Sequence, residues 1–575
     1  MSQEKELTGY PSIDKPWLKY YSKEAIDAPL SECTIYEYLY ENNKDYPSDI
    51  AINYLGRKIS YKELFENIDK TAAAFLKIGV KEKEIVTVAL PSIPEALYCI
   101  YALNKIGAVS NMVHPLAGRE ETLFYFNEVQ SRIAVIFDGA YAAIADDIGN
   151  SSVEKVIVAS PSDSLPVALR VAYKLKVKAP FLDGNVFQSW KTFFREGKNT
   201  PVKAVKKDCH EMAIISHTGG TTGEPKGVMC SDKSVNAIIW SLLKSTQHER
   251  QQRFLVQLPP FINYSLVNSM LEPLSCGVTL YLIPDYKPAK IGYYLKKCRP
   301  NHINSIPPYV EAMLKAPEIK TLDLSFLINL SVGGDGMSKE SETLINTLLA
   351  ERGSKTRLAK GYGMTELISC ATFTYEGSNA VGCIGIPLVK INCKIIDSDT
   401  NQELSYGESG EICFAGETLM LGYYHNPKAT EDLIKLHQDG LKWLHTGDLG
   451  YMNENGQVFV TGRIKRIILT KGRDGQVTKL FPDRIEKDIY SHPAVELCCV
   501  VGVPDQMRIN YPKAFVVVKD KGTDKNSITE EILQICRENL PGYMVPDEIE
   551  YRDDLPRTPR GKIDYRALEE TAKET

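Results

Sequence analysis

The chain has 575 residues, about four domains' worth at roughly 150 residues per domain, and a single core ordinarily subdivides beyond ~300 residues. Hydrophobic residues make up 43% and charged residues 25%, the mix of a soluble globular protein, and 68 Lys and Arg against 73 Asp and Glu leave a net charge of −5. That near-balance argues against a nucleic-acid partner, which demands a basic excess or stripe, and leaves small-molecule chemistry. The 13 cysteines are scattered apart from the Cys498–Cys499 pair, and no CxxC occurs. Neither a zinc ribbon nor a disulfide framework fits, and a reducing compartment is expected. Residues 1–24 lack a signal peptide's apolar region, and no run of ~18 apolar residues occurs. The expectation is a cytoplasmic, multi-domain enzyme.

In chain order, 85–90 reads as a strand, 94–106 has helical spacing and stops at Gly107, and 109–113 resumes as a strand. The rhythm returns with strands at 212–216, 254–258, 278–283, 302–306 and 327–332. Helices are expected over 231–247, 308–315 and 338–353, the last opening on Ser338 and closing at Gly353. Such alternation predicts parallel or mixed sheets covered by helices on both faces. From residue 391 the texture turns β-rich, with apolar runs at 391–396, 410–415, 457–461 and 467–470 parted by Gly, Asn and Asp. The C-terminal stretch reads as a small α+β unit. It has helices over 482–491 and 527–539, the second opening on a Ser527/Glu530 capping box, and strands over 495–503 and 514–518.

Residues 165–178 depart from this plan, with Arg170, Lys174 and Lys178 at i, i+4 and i+8 and Leu165, Leu169 and Ala172 turned elsewhere. The segment is either a basic amphipathic helix for an anionic membrane surface or a surface helix with a solvated face.

The most informative run is His217-Thr218-Gly219-Gly220-Thr221-Thr222-Gly223-Glu224-Pro225-Lys226-Gly227, placed after one strand and before a helix near Ser231. Its glycines and threonines offer unhindered N–H groups, hydroxyls and freedom at φ, and Lys226 adds a cation: a polyphosphate cradle or a mobile turn. It is not a P-loop, because Lys226 is followed by Gly227 rather than Ser or Thr. Gly361-Tyr362-Gly363-Met364-Thr365-Glu366 combines an aromatic for a base, a hydroxyl for a phosphate and a carboxylate for Mg²⁺. Gly333-Gly334-Asp335-Gly336 ends another strand, where ligands of α/β sheets sit. Thr446-Gly447-Asp448 offers a carboxylate for ribose hydroxyls, Gly462-Arg463-Ile464-Lys465 two cations, and 555–563 a lysine, Lys562, in a Gly/Pro-braced loop.

In this order the motifs resemble those of the adenylate-forming superfamily: acyl- and aryl-CoA synthetases, peptide-synthetase adenylation domains and beetle luciferases. The resemblance extends over nearly the whole chain. It implies an α/β fold with a large N-terminal domain, 1–464, of helix-covered mixed sheets and a β-rich subdomain at about 391–464. A small mobile α+β domain, 465–575, would follow. By the same resemblance, Thr218, Gly219, Gly220, Thr221, Thr222, Gly223 and Lys226 would close over the β- and γ-phosphates. Gly334, Asp335, Gly361, Tyr362, Gly363 and Met364 would line the nucleotide pocket. Thr365 would contact the α-phosphate, Glu366 hold Mg²⁺, and Asp448 and Arg463 bind ribose. Lys465 would be the hinge and Lys562 the adenylation lysine.

The implied reaction uses ATP, Mg²⁺ and CoA: a carboxylate attacks the α-phosphorus, pyrophosphate leaves, and a thiol takes the acyl group. A carrier-protein phosphopantetheine is the alternative acceptor, and a catalytically silent binding member the alternative of another class. Phe261, Asn263 and Ser305 are the acyl-pocket candidates, set among apolar residues that suit an acyl or aryl group. The only acid between Gln251 and Pro284 is Glu272, which disfavours an amino-acid substrate. With the basic 165–178 segment, this leans towards a medium- or long-chain fatty acid. Three departures from the family pattern stand out: Asn263 where a histidine is frequent, Leu469 where many members carry Lys, and a longer turn at 472–476. Arg463, Lys465, Arg466, Lys471, Arg473 and Lys479 form a basic cluster around that turn, suited either to the phosphates of CoA or to a solvated hinge face.

Overall fold

The computed structural model describes residues 7–176, 180, 182, 184–197, 202–218, 225–375, 377–471, 477–505, 507–520, 522, 524–557 and 563–574, without the side chains of Lys465 and Glu574. Gly219, Gly220, Thr221, Thr222, Gly223, Lys562, Lys178 and the 472–476 turn therefore lie outside the described residues.

Two large mixed sheets form the body. One has eight strands in the order Gly422–Tyr423, Gly227–Ser231, Met212–His217, Val109–Met112, Ile85–Ala89, Ile133–Phe137, Lys155–Ala159 and Phe187–Ser189. Its neighbours from Met212–His217 to Phe187–Ser189 pair in parallel. The other has nine strands and a parallel centre through Ala359–Tyr362, Asn329–Val332, His302–Ser305, Arg253–Val256, Thr279–Leu282 and Ile50–Tyr54. Strands covered on both faces lose the in/out alternation of a half-buried strand, so apolar runs such as Ile85–Ala89 signal them.

Local chemistry sets the element ends. The helix Pro94–Lys105 starts on a proline, which has no N–H to lose there, and stops at Gly107, whose φ of +75° suits a residue without Cβ. Ser338 caps Lys339–Glu351 by accepting from the Ser341 N–H, and Ser231 caps Asp232–Ser245 within a reciprocal capping box. The C-terminal helix corrects the sequence expectation. It runs over Lys525–Asn539 with Asp524 as N-cap, and Ser527 instead donates to Glu531 inside the helix. Asp524 competes for the cap three residues upstream of Ser527, and its carboxylate is a strong N-cap acceptor.

A five-stranded antiparallel sheet joins Ile391–Ile396, Gly410–Gly416, Lys442–Met452, Ile434–Leu436 and Val458–Arg463. Beyond it, Ile468–Lys471 pairs with Val477–Leu480, and Val495–Asp505, Ile509–Val518 and Glu548–Tyr551 form a three-stranded sheet over its own buried core.

The basic segment is the helix Val167–Lys176, but its polarity is not the one expected from spacing. Arg170 turns inward and donates to the carbonyls of Asp163 and Leu165, while Val167, Leu169, Val171 and Leu175 are exposed. Carbonyls left over by the preceding turn attract the guanidinium more strongly than its place in a charged stripe holds it outside. No described helix is long and apolar enough to cross a membrane.

Candidate active site

Among the described residues, the sequence-flagged ones fall into three groups drawn from both large sheets and the five-stranded sheet. Ser92, just after Ile85–Ala89, donates to the carbonyl of Leu258, just after Arg253–Val256, so loops from the two sheets meet. Crevices beyond the carboxyl ends of parallel strands are where α/β sheets bind ligands.

On one side lies a polar triad. The Tyr362 hydroxyl donates to Asp448 Oδ2 at 2.5 Å, and Arg463 Nε meets Asp448 Oδ1 at 2.8 Å. Asp448 and Arg463 face each other as paired residues on Lys442–Met452 and Val458–Arg463, so sheet register sets their contact. Burial works against the Arg463 charge, but Asp448, followed by Tyr362 and Asp483, outweighs it and holds the guanidinium above its ordinary range. Burial and then the Asp448 charge push the Tyr362 hydroxyl well up, so it stays a donor. Asp335 adds its charge to the field at Arg463 from the loop after Asn329–Val332. Gly333 allows close packing there: a Cβ would stand 2.9 Å from the Gly361 carbonyl oxygen and 3.6 Å from Tyr264 Cζ. Gly334 sits at φ +82°.

The turn that carries Asp448 is braced by a residue the sequence reading missed. Glu411 Oε1 accepts from the Gly447 N–H and its Oε2 lies against His445 Nδ1, both at 2.9 Å. His445 Nε2 lies 3.0 Å from His437 Nε2. Thr446 donates to the Ile412 carbonyl and accepts from the Asp448 N–H.

The second group surrounds Glu366. Thr218 N–H donates to the Lys226 carbonyl and Lys226 N–H to Thr218 Oγ1, closing a hairpin between Met212–His217 and Gly227–Ser231. The described residues on either side of the Gly/Thr run are antiparallel partners, so a return strand, not expected from the sequence, intervenes before the helix Asp232–Ser245. The Lys226 ammonium stands 4.9 Å from the Tyr423 ring centroid, and the Tyr423 hydroxyl donates to Glu366 Oε1 at 2.6 Å. Tyr423 thus links the loop lysine to the carboxylate, and nothing local in the sequence marked it.

Glu366 is buried in the turn Thr365–Leu367, where its carbonyl accepts from Met420 N–H. Met364 precedes the turn in an extended conformation and packs against the core. A Cβ on Gly363 would lie 1.7 Å from the Ser369 carbonyl oxygen, so only glycine fits. Ile368, β-branched, is held at φ +67°, a strained conformation directly after the turn Thr365–Leu367. Mg²⁺ favours hard oxygen donors, and the Glu366 carboxylate beside a polar loop fits that requirement.

The third group is tied to the other structures of the site by hydrogen bonds from Ser216 and Ser369. The Phe261 ring lies 4.5 Å from His114. Ser305 donates to Gln257 Oε1 at 2.8 Å and its carbonyl accepts from the Tyr264 hydroxyl. Asn263 is buried, taking a hydrogen bond from Ser216 on Oδ1 and giving one to Cys230 Sγ from Nδ2, which fastens this segment to the hairpin. The helix that follows takes a π-turn over Leu266–Leu271, a feature frequent at functional sites. Asn268 on it accepts from Ser369, tying this wall to the Glu366 turn. Glu272 is buried and committed to His248 and Thr246.

Lys465 has its backbone in the turn Ile464–Arg466. In the basic cluster around it, Arg466 pairs with Asp483 and Glu486, Lys479 with Asp399, and Arg463 with Asp448.

The fold and these three groups define an adenylate-forming α/β enzyme. The profile of the AMP-binding enzyme family matches residues 39–424 and that of the AMP-binding enzyme C-terminal domain matches residues 484–562, and the chain belongs to this family. It is 28% identical over 570 residues to a long-chain-fatty-acid–CoA ligase of Bacillus subtilis, with 97% of this chain and 98% of that protein covered. A probable 4-coumarate–CoA ligase 3 of Dictyostelium discoideum is 29% identical, with 87% of each chain covered. Among solved structures, ATP-bound MatB from Rhodopseudomonas palustris has a TM-score of 0.81 at 22% identity, with 95% of this chain and 99% of that one covered. The anthranilate CoA ligase AuaEII in complex with anthranoyl-AMP has a TM-score of 0.78 at 21% identity, with 96% and 99% covered. At these identities the two structures carry the fold.

Proposed function

We propose that this AMP-forming acid–thiol ligase activates a medium- or long-chain fatty acid as its acyl-adenylate and transfers the acyl group to CoA. The observation that carries the reading is the run 361–366, which joins a ribose-suited triad, Tyr362–Asp448–Arg463, to a phosphate-suited group, Lys226–Tyr423–Glu366. A carboxylate is already a nucleophile at neutral pH, so the obstacle is repulsion between it and the triphosphate rather than proton removal. Lys226, and Lys562 by the family resemblance, supply positive charge in a water-poor site, where it acts more strongly than in bulk water. Glu366 would hold Mg²⁺, which supplies charge neutralisation at the phosphates when bound. Asp448, fixed by Tyr362 and Arg463, would orient the ribose hydroxyls. The thiol step would use rotation of 465–575 about Lys465 relative to 1–464, withdrawing Lys562.

The fatty acid is supported by the buried apolar residues of the segment around Phe261, such as Leu258, Leu266 and Val267, and by the Bacillus subtilis relative, which matches nearly end to end. The exposed Val167, Val171 and Leu175, flanked by Lys174 and Lys176, support contact with an anionic membrane, where such acids partition. The test is a panel of carboxylic acids in a pyrophosphate-release assay, with and without CoA. Fatty acids should release pyrophosphate, and thioester should form only with CoA. A tenfold preference for 4-coumarate or a dicarboxylate would overturn the acid, and absence of release with every acid would overturn the adenylation.

A further inference from the structure

Away from the crevice, the turn at 208–210 meets the N-terminal segment at Glu32. Cys209 is buried, with its Sγ 3.1 Å from Glu32 Oε2 and 3.7 Å from His210 Nδ1. His210 Nδ1 is in turn 2.9 Å from Asp208 Oδ1. One ligand atom each from Glu32, Cys209 and His210 all lie within 4.8 Å of one another. A tetrahedral zinc site with bonds of ~2.0–2.3 Å separates neighbouring ligand atoms by about 3.3–3.8 Å. The thiol, imidazole and carboxylate therefore already stand close to one tetrahedral edge apart.

The backbone holds this arrangement. His210 N–H donates to Asp208 Oδ1 at 3.0 Å, and Glu211 N–H to the Asp208 carbonyl at 3.0 Å. Lys233 N–H donates to the Cys209 carbonyl, and the Lys233 ammonium engages Glu32 Oε1, leaving Oε2 turned to the thiol. Glu32 and His210 are exposed, which gives an ion a path from solvent onto a sulfur floor. The other mixed cluster, Glu411, Cys413 and His445, is buried, and its carboxylate already serves His445 and Gly447.

We propose that Glu32, Cys209 and His210, with water completing the coordination, form a binding site for a divalent cation of the Zn²⁺ type. Mixed sulfur, nitrogen and oxygen donors select such an ion over Mg²⁺ or Ca²⁺, which take oxygen. Binding exchanges the Cys209 proton, released to solvent, for a metal–thiolate bond. The ion would pin the N-terminal segment to the turn that leads into Met212–His217, whose far end precedes the Gly/Thr run.

The probe is Co²⁺, added to the full-length protein without nucleotide and followed by absorbance, with Zn²⁺ as competitor. The expected result is one equivalent bound with a thiolate-to-cobalt charge-transfer band that Zn²⁺ abolishes. Cys209→Ser should remove the band, and His210→Ala, at an exposed position that leaves the core intact, should weaken Co²⁺ binding about tenfold or more. Absence of the band in the parent protein, its survival in Cys209→Ser, or unchanged affinity in His210→Ala overturns the site.

Discussion

The two ends of the crevice are built differently. At the proposed nucleotide end, Tyr362 and Arg463 both hold Asp448, and Glu411 holds the Gly447 N–H beside it, all through directional polar contacts. At the proposed acyl end, the Phe261 ring lies against His114 ahead of a π-turned helix of buried apolar residues, and the polar groups there, Asn263 and Ser305, are spent on other protein groups. Directional contacts fix a ligand that never varies, whereas an apolar wall discriminates only by volume, at ~1–3 kcal/mol per methylene. Substitutions at the first end should therefore damage turnover with every acid, and those at the second should re-rank acids.

The largest effect is expected from Asp448→Asn. It removes the buried carboxylate charge that meets the exposed Arg463 guanidinium and the Tyr362 hydroxyl, and losing a hydrogen bond to a charged group costs ~1.5–3 kcal/mol, so ATP–pyrophosphate exchange should fall by up to about 100-fold with all acids. A loss confined to particular acids would merge the two ends. Next comes Glu411→Gln, which keeps the shape but leaves only one acceptor oxygen for the Gly447 N–H and His445. Exchange should drop about tenfold, mainly through the KM for ATP, with Glu411→Asp recovering part of it; a change in kcat alone would detach the brace from nucleotide binding. Phe261→Ala should move the preference between a long and a short acid by roughly 10–200-fold while the KM for ATP stays within about twofold. An equal effect on all acids would place Phe261 outside the acyl wall.

The same difference explains what the sequence discloses. The strand–helix alternation and the β-rich turn near 391 are local patterns, and they are found in the structure. Tyr362, Glu366, Asp448 and Arg463 lie in short runs whose chemistry is visible before folding. Tyr423 and Glu411 are not visible, because they reach the site through pairing: Tyr423 through an edge strand on Gly227–Ser231, Glu411 through antiparallel register with Leu449. Likewise, Ile368 takes φ +67° only because its surroundings impose it, against β-branched preference. The inward turn of Arg170 depends on carbonyls of Asp163 and Leu165, which periodicity alone does not register.

A buried carboxylate outside both ends sharpens the contrast between partnered and unpartnered charge. Glu95, 1% exposed on the helix Pro94–Lys105, accepts from Ser164 on Oε1, and its Oε2 has no hydrogen-bond partner among the described residues. Burial raises its pKa to about 8 from an ordinary 4.5, with the Ser164 hydrogen bond opposing the shift. Because the folded value lies above the unfolded one, the neutral acid's stabilisation is complete below about pH 4.5 and is lost as pH rises through 8. Glu95→Gln retains an acceptor for Ser164 but cannot ionise. Its thermal midpoint should match the parent's near pH 4.5 and exceed it increasingly towards pH 9, with a gap of about 5 kcal/mol once Glu95 is ionised. Turnover should be unchanged, the smallest activity effect of the series. A gap that does not vary with pH would mean that Glu95 is ionised in the folded protein, so burial without a cationic partner would no longer separate it from Asp448.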